Sequence, residues 1–173
     1  KVNNHFVGGG FGAKASAQIE PLITIELARK AKAPVRYVMD RDEEMTVGGF
    51  RPSARIEMKA AVHNEEFRGY SLKSWNASGI SVGSSVSFVP RILYPDIPKR
   101  LLDWDVLTNG PMGRPFRAPG GPAGLWALEQ TVDDIAYSLD EDPLELRKRW
   151  DRAPARQRLY QWGMELDVWK HRG

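Results

Sequence analysis

The sequence has 173 residues, of which 42% are hydrophobic and 27% charged, a composition typical of a folded globular domain. The absence of cysteine excludes disulfides, cysteine-ligated metal clusters and a cysteine nucleophile. A formal net charge of +3 gives no argument for nucleic acid as a partner, and no apolar run approaches the roughly 18 residues of a membrane span. The chain starts at Lys1 without a leader, so we expect a processed piece or a part of a larger polypeptide.

The first 50 residues predict a strand, a glycine-rich turn and a helix. Residues 2–7 are a half-apolar run that ends in glycines, which is typical of a strand followed by a tight turn. A helix is expected over residues 15–32, with a kink or an interrupted start at Pro21. A second strand is expected at Val35–Met39. The acidic residues that follow Asp40 favour a short helical turn.

The middle of the chain predicts a β-hairpin. Apolar and polar side chains alternate over residues 55–63, as in a half-buried strand, and residues 70–75 return as its partner. Residues 78–100 are rich in Gly, Ser and Pro, which predicts a long loop that covers a site or meets a partner. Residues 101–108 then predict a third strand.

The last third predicts helices, so the expected fold is α+β, with a mixed sheet that contains a hairpin. Asp142 and Pro143 supply an N-cap and a first-turn proline for a short helix. Residues 154–172 predict an amphipathic helix. We expect a cofactor domain at residues 1–150 and a helical segment at 151–173. A long helix is predicted from apolar residues at helical spacing: Leu125, Leu128, Val132, Ile135 and Leu139.

Common catalytic arrangements find little support in the residues. The three histidines, His5, His63 and His171, lie far apart without a neighbour at ligand spacing. Gly79-Ile80-Ser81-Val82-Gly83 has the Gly-x-Ser-x-Gly spacing of a serine hydrolase elbow, but it lies in a stretch without helical periodicity, whereas such an elbow joins a strand to a helix. We therefore expect no protein-ligated metal, and the residues give little support for a Ser-His-Asp triad.

The segment Gly8–Lys14, here called the first loop, carries four glycines in five positions. Unobstructed backbone N–H groups beside a helix N-terminus can hold an oxyanion, a phosphate or an oxo ligand. Gly8-x-Gly10-x-x-Ala13 also satisfies a dinucleotide fingerprint, and Asp40 supplies an acid at the expected end of the next strand. The alternative to a ligand-binding role is a purely structural tight turn, in which glycine is needed for positive φ.

The segment Phe116–Gly120, here called the second loop, lies in a glycine- and proline-dense stretch and carries Arg117. The planar guanidinium of arginine suits a bidentate contact to phosphate or to the edge of a polar heterocycle. A lone arginine in a loop is usually a surface residue. Two glycine-dense loops in one short domain favour a bulky anionic cofactor.

Both loops resemble the cofactor-binding loops of the molybdenum hydroxylases, the family of xanthine dehydrogenase and aldehyde oxidase. The first loop resembles the family's first, and Phe116-Arg117-Ala118-Pro119-Gly120 resembles its second, as in the aldehyde oxidoreductase branch. Four further segments resemble the family in the same order: Arg41–Met45, Arg51-Pro52, Thr108-Asn109 and the helix that ends in Asp142–Arg147.

The resemblance implies an oxidoreductase that carries molybdenum on a pterin, in some bacteria as the cytosine dinucleotide, and hydroxylates an aldehyde or an N-heterocycle with oxygen from water. It implies that the backbone at Phe11 and Gly12, next to Gly10, faces the oxo ligand, and that Arg117 and Ala118 bind the cofactor. Pro119 then lies near the substrate channel.

The resemblance also implies partners: the remainder of the molybdenum subunit, an iron–sulfur subunit, an FAD subunit and a small-molecule substrate. Ala15 follows Lys14, where purine-oxidising relatives have glutamate, so the resemblance leaves the substrate open. The family's catalytic glutamate belongs to a segment that this sequence does not contain, and we expect the isolated chain to be inactive.

The expected compartment is the cytoplasm, with the periplasm as the alternative. Two other functions stay open, an NAD(P)-binding Rossmann domain and a non-catalytic scaffold of the same fold.

Overall fold

The computed structural model describes residues 3, 5, 8–17 and 19–172, and it confirms the α+β class. The predicted strand at residues 2–7 falls largely outside this range. No helix among the described residues is long and apolar enough to cross a membrane. The elements, in chain order, are α1 (Ile19–Ala31), α2 (Arg41–Thr46), β1 (Ala54–His63), β2 (Glu66–Gly79), β3 (Lys99–Leu107), α3 (Gly121–Ser138), α4 (Pro143–Trp150), α5 (Pro154–Glu165) and α6 (Asp167–Lys170).

Strands β1 and β2 form the predicted hairpin. Asn64 and Glu65 connect them and have φ angles of 51° and 59°. Positive φ at both central residues is typical of a type I′ turn, whose twist matches that of the paired strands. The two-residue turn lets β2 begin at Glu66, earlier than the predicted start at residue 70.

Strand β3 makes the sheet mixed, with the order β1-β2-β3. Tyr70 N donates to Pro98 O at 3.2 Å, and Thr108 N donates to Gly79 O at 3.1 Å. Residue numbers rise together in these two pairs, so β3 runs parallel to β2. The connection between them, within the predicted long loop at residues 78–100, contains two short 3₁₀ turns, Val86–Phe88 and Pro90–Ile92.

The region before the sheet differs from the prediction at two places. Helix α1 begins at Ile19 instead of residue 15, which puts Pro21 in the first turn, where the missing N–H of proline costs nothing. The predicted strand at Val35–Met39 is wrong, because these residues pair with no strand among the described residues.

Helix α2 confirms the helical turn predicted after Asp40. The Asp40 carboxylate accepts from Glu43 N at 2.8 Å, and the Glu43 carboxylate accepts from Asp40 N at 3.0 Å. This reciprocal capping box satisfies two backbone donors at the start of the helix. Asp40 is therefore a helix cap, and no strand ends at it.

The chain divides into two compact units, each with its own contacts. One unit comprises the described residues up to Ser53 together with Asn76–Ser85 and Asp105–Gly120, and it contains both loops. The other unit contains α3 to α6 and most of the sheet residues. Its core gathers apolar side chains from β2, the β2–β3 connection, α3 and α4: Phe67, Tyr70, Tyr94, Leu128, Val132, Ala136 and Leu146.

The predicted C-terminal helix is broken in two. Leu166 adopts an extended conformation with φ −69° and ψ 135°, which ends α5 and precedes α6. Helix α5 packs on α4, where the Gln157 side chain donates to Lys148 O at 2.7 Å. The division into 1–150 and 151–173 stays a prediction.

Candidate functional site

The first and second loops meet through their backbones. Arg117 N donates to Phe11 O with a donor–acceptor distance of 2.6 Å, although the two residues are far apart in sequence. The aromatic rings of Phe11 and Phe116 lie beside this bond, with their centroids 5.7 Å apart. The structure thus brings together the two segments in which the sequence predicted cofactor residues.

The backbone at this junction has unusual torsion angles. Phe11 and Gly12 have φ angles of 50° and 108°, and Arg117 and Ala118 have φ angles of 28° and 63°. Positive φ in a residue other than glycine is uncommon and costs on the order of 1–3 kcal/mol, so the surrounding contacts must stabilise it. Both loops therefore bend sharply at the residues predicted to face the cofactor.

Gly12 lies against the second loop without a side chain between them. A Cβ atom at Gly12 would lie 3.2 Å from Pro115 O and 3.7 Å from Arg117 N. The first of these distances is tighter than ordinary van der Waals contact. Glycine allows both the positive φ and the close approach of the two backbones.

Arg51 binds the carbonyl groups of the second loop. Its Nη2 donates to Phe116 O at 2.7 Å and to Arg117 O at 2.6 Å, and its Cζ lies 5.7 Å from the centroid of the Phe116 ring. The sequence showed Arg51 only as part of a resemblance and did not predict it as a site residue. An arginine directly after Gly48-Gly49-Phe50 was the available signal.

The residues predicted to bind the cofactor are mostly exposed. Phe11 is 61% exposed, Gly12, Arg117 and Ala118 are exposed, and Gly10 is half-buried. Exposed backbone at a bend with small side chains can be approached closely by a ligand. Helix α1 begins beyond the first loop, so the helix terminus expected at this loop does not adjoin it.

Lys14, at the end of the first loop, forms an ion pair instead of pointing freely outward. Its Nζ lies 3.1 Å from Glu44 Oε1 on α2. Both side chains are about two-fifths exposed, at 38% and 41%, so the pair contributes little to stability. Among the described residues no group of three or more His, Cys, Asp or Glu side chains could hold a metal ion.

A cavity of about 210 Å³ lies beside the second loop. Pro119, the residue predicted near a substrate channel, is half-buried and forms part of its wall. Four serines and three prolines contribute to its lining. The lining residues are Ser16, Pro52, Ser78, Ser81, Val82, Gly83, Ser84, Met112, Gly113, Arg114, Pro115 and Pro119.

Asp105 on β3 accepts hydrogen bonds from three residues that line this cavity. Its carboxylate accepts from Ser78 Oγ at 2.9 Å, from Gly83 N at 2.5 Å and from Ser84 N at 3.1 Å. Partial burial alone would raise the pKa of Asp105, but hydrogen bonds from Ser84, Gly83 and Ser78 lower it to about 2. The wall is therefore held by an ionised carboxylate at neutral pH. Sequence reasoning missed Asp105.

A family model described as "Molybdopterin cofactor-binding domain" matches residues 1–150, the part of the chain that contains both loops. The chain belongs to this family. The xanthine dehydrogenase of Calliphora vicina is 33% identical over 153 residues, which cover 83% of this chain. The family that the loop motifs predicted is thereby confirmed.

Two solved structures share the fold. Quinoline 2-oxidoreductase from Pseudomonas putida 86 superposes with a TM-score of 0.76 at 29% identity and covers 87% of this chain. Aldehyde oxidoreductase from Desulfovibrio gigas superposes with a TM-score of 0.70 at 25% identity and covers 83% of this chain. The chain spans 20% and 16% of these two chains and 11% of the Calliphora relative.

Proposed function

We propose that the whole protein is a molybdenum hydroxylase that oxidises an aldehyde or an N-heterocycle with oxygen from water. The observation that carries the proposal is the bond between Arg117 N and Phe11 O, which joins the two strained loops within a molybdopterin cofactor-binding domain. Two structural relatives, a quinoline oxidoreductase and an aldehyde oxidoreductase, represent the two proposed substrate classes.

In this proposal the loops hold the cofactor mainly through their backbones. Gly10, Phe11 and Gly12 present the first loop, and Arg117 and Ala118 present the second. The residues fit the cofactor because Gly12 has no side chain where it lies close to Pro115 and the bends leave the residues of both loops exposed. The bound cofactor supplies two-electron oxidation chemistry.

The guanidinium of Arg117 carries the charge in this arrangement. Arginine stays protonated at any physiological pH and offers several donors to anionic oxygens. Hydrogen bonds from a charged donor are about twice as strong as neutral ones. Arg117 therefore orients an anionic part of the cofactor. We propose that this cofactor is the cytosine dinucleotide form of the pterin.

The cavity beside the second loop is the proposed substrate pocket. Pro119 forms part of its wall where an aromatic side chain would allow stacking on a ring, and the serines in the lining offer hydrogen bonds instead. Its volume of about 210 Å³ gives room for part of a small-molecule substrate. The role of Pro119 is thus to shape the pocket.

Further parts of the enzyme complete the proposed reaction. The chain spans about a tenth to a fifth of its relatives, and none of its described carboxylates is assigned the role of base. We propose that the remainder of the molybdenum subunit supplies the catalytic base. We further propose that iron–sulfur and FAD subunits accept the electrons, and that the enzyme works in the cytoplasm.

The structure favours this function over the Rossmann alternative. A dinucleotide fold requires strands that alternate with helices around the glycine loop. Val35–Met39 forms no strand, and Asp40 caps α2 instead of ending a strand. The scaffold alternative predicts the same fold without metal, so the molybdenum content of the assembled enzyme separates it from the proposal.

Substitution of Arg117 in the natively assembled enzyme tests the proposal. We expect Arg117→Ala to lower the molybdenum content about tenfold or more, because each lost charge-assisted hydrogen bond contributes about 1.5–3 kcal/mol. Elemental analysis of the purified enzyme measures the effect. Arg158→Ala, at an exposed position on α5, is the control. An unchanged molybdenum content in the Arg117 variant, or a wild-type enzyme without molybdenum, would refute the proposal.

A further inference from the structure

The conformation of the second loop needs support from outside the loop. Arg117 and Ala118 both have positive φ, at 28° and 63°. Neither residue is glycine, so the loop stores strain that surrounding contacts must offset. The hydrogen bond from Arg117 N to Phe11 O restrains the N–H side of one peptide group. It leaves the carbonyl side of the loop to be held by another group.

Arg51 is placed to hold those carbonyls. A single nitrogen, Nη2, donates to both Phe116 O and Arg117 O, at 2.7 Å and 2.6 Å. The two bonds draw consecutive carbonyls towards one point, which fixes the direction in which the peptide between them turns. The Cζ atom also lies 5.7 Å from the Phe116 ring centroid, within the range of a cation–π contact.

The hydrogen bonding of Arg51 favours a specific role over general packing. Its Nε is buried and has no hydrogen-bond partner among the described residues. A buried guanidinium nitrogen without a partner costs free energy, and the bonds from Nη2 to Phe116 O and Arg117 O help to offset that cost. The charged guanidinium of Arg51 thus donates to the carbonyls of the second loop.

We propose that Arg51 is a positioning residue for the cofactor. It holds the second loop in its strained conformation, so that Arg117 and Ala118 are aligned before the cofactor binds. This inference rests on the proposed function, and it assigns Arg51 no contact with the reacting atoms. Preorganisation of this kind raises affinity because the loop does not have to be ordered at the moment of binding.

The test compares three side chains at position 51 in the natively assembled enzyme. Arg51→Met keeps an unbranched stem against Phe116 but has no donor, and Arg51→Lys restores a charged donor with shorter reach. We expect the molybdenum content to fall about tenfold in Arg51→Met and about threefold in Arg51→Lys, as the two charge-assisted bonds are lost or weakened. Amide hydrogen exchange at residues 116–118 should rise in the same order.

Two controls make the outcome specific. Arg55→Lys, on β1 with its side chain 79% exposed, should leave the molybdenum content and the exchange unchanged. The thermal midpoint of each variant shows whether it has folded. If Arg51→Met fails to fold, Arg51→Lys decides.

The inference is overturned if the folded position-51 variants retain wild-type molybdenum content, or if Arg51→Lys is no better than Arg51→Met. These results leave the proposed function intact, because that proposal depends on the Arg117→Ala variant. A wild-type content in Arg117→Ala would instead refute the proposed function, and the inference would fall with it.

Discussion

Single residues at the junction of the two loops combine backbone strain with backbone hydrogen bonds. Phe11 contributes a carbonyl that accepts from Arg117 N, and its side chain is mostly exposed. Gly12 contributes the absence of a side chain where the second loop approaches. The two neighbours therefore differ in what a substitution removes, although both have positive φ.

We expect Gly12→Ala to be more damaging than Phe11→Leu. The added methyl group would lie 3.2 Å from Pro115 O, and alanine at this φ is strained by about 1–3 kcal/mol. Leucine at position 11 keeps the carbonyl and loses only the ring contact with Phe116. Thermal unfolding and molybdenum content of the assembled enzyme measure both effects. Equal losses in the two variants would contradict a backbone role for Phe11.

At the scale of elements, local sequence signals account for helices that have an N-cap residue or a buried apolar face. Asp142 caps α4 by accepting from Leu144 N at 2.7 Å and from Glu145 N at 3.2 Å, as the Asp-Pro pair predicted. The buried residues of α3 include two members of the predicted apolar face, Leu128 and Val132. Arg147 on α4 then links these two helices through a network that periodicity does not reveal.

The guanidinium of Arg147 is the centre of that network. Its Nε donates to Glu129 Oε2 and its Nη1 to Asp133 Oδ1, each at 2.7 Å. Burial alone would lower the pKa of Arg147, but hydrogen bonds with Asp133 and Glu129 raise it. The arginine therefore stays charged at the α3–α4 interface.

We expect Arg147→Ala to lower the free energy of unfolding by about 3 kcal/mol, the lower end of the range for a broken buried ion pair. The lower end applies because the Asp133 side chain is 43% exposed and can be resolvated. Arg149→Ala on the same helix is the control: the Arg149 side chain is 40% exposed, and its loss should cost less than about 1 kcal/mol. Urea denaturation measures both. Similar costs would show that the network contributes no more than a surface pair.

At the scale of the whole molecule, the chain corresponds to one part of its larger relatives. It belongs to a molybdopterin cofactor-binding domain family, and it spans about a tenth to a fifth of its relatives. Hydroxylation requires the metal, a base and a shaped pocket in one geometry. The two loops and the cavity supply only part of that set.

We therefore expect the purified 173-residue chain to show no oxidation of aldehydes or N-heterocycles, whereas the natively assembled enzyme oxidises at least one of them. Spectrophotometric assays with an artificial electron acceptor, run on both preparations at equal molar concentration, measure the difference. Turnover by the pure chain above a protein-free blank would contradict the need for further segments.

The sequence alone determined the family, the α+β class, the hairpin, helices α2 to α4 and the two loops. These features depend on local signals: glycine and proline at bends, alternation in strands and helical spacing of apolar residues. Tertiary structure alone decided that Val35–Met39 forms no strand, that β3 runs parallel to β2, and that Arg51 and Asp105 hold the loop and the cavity wall. Strand pairing depends on a neighbour distant in sequence, and a side chain that donates to a remote carbonyl leaves no periodic pattern.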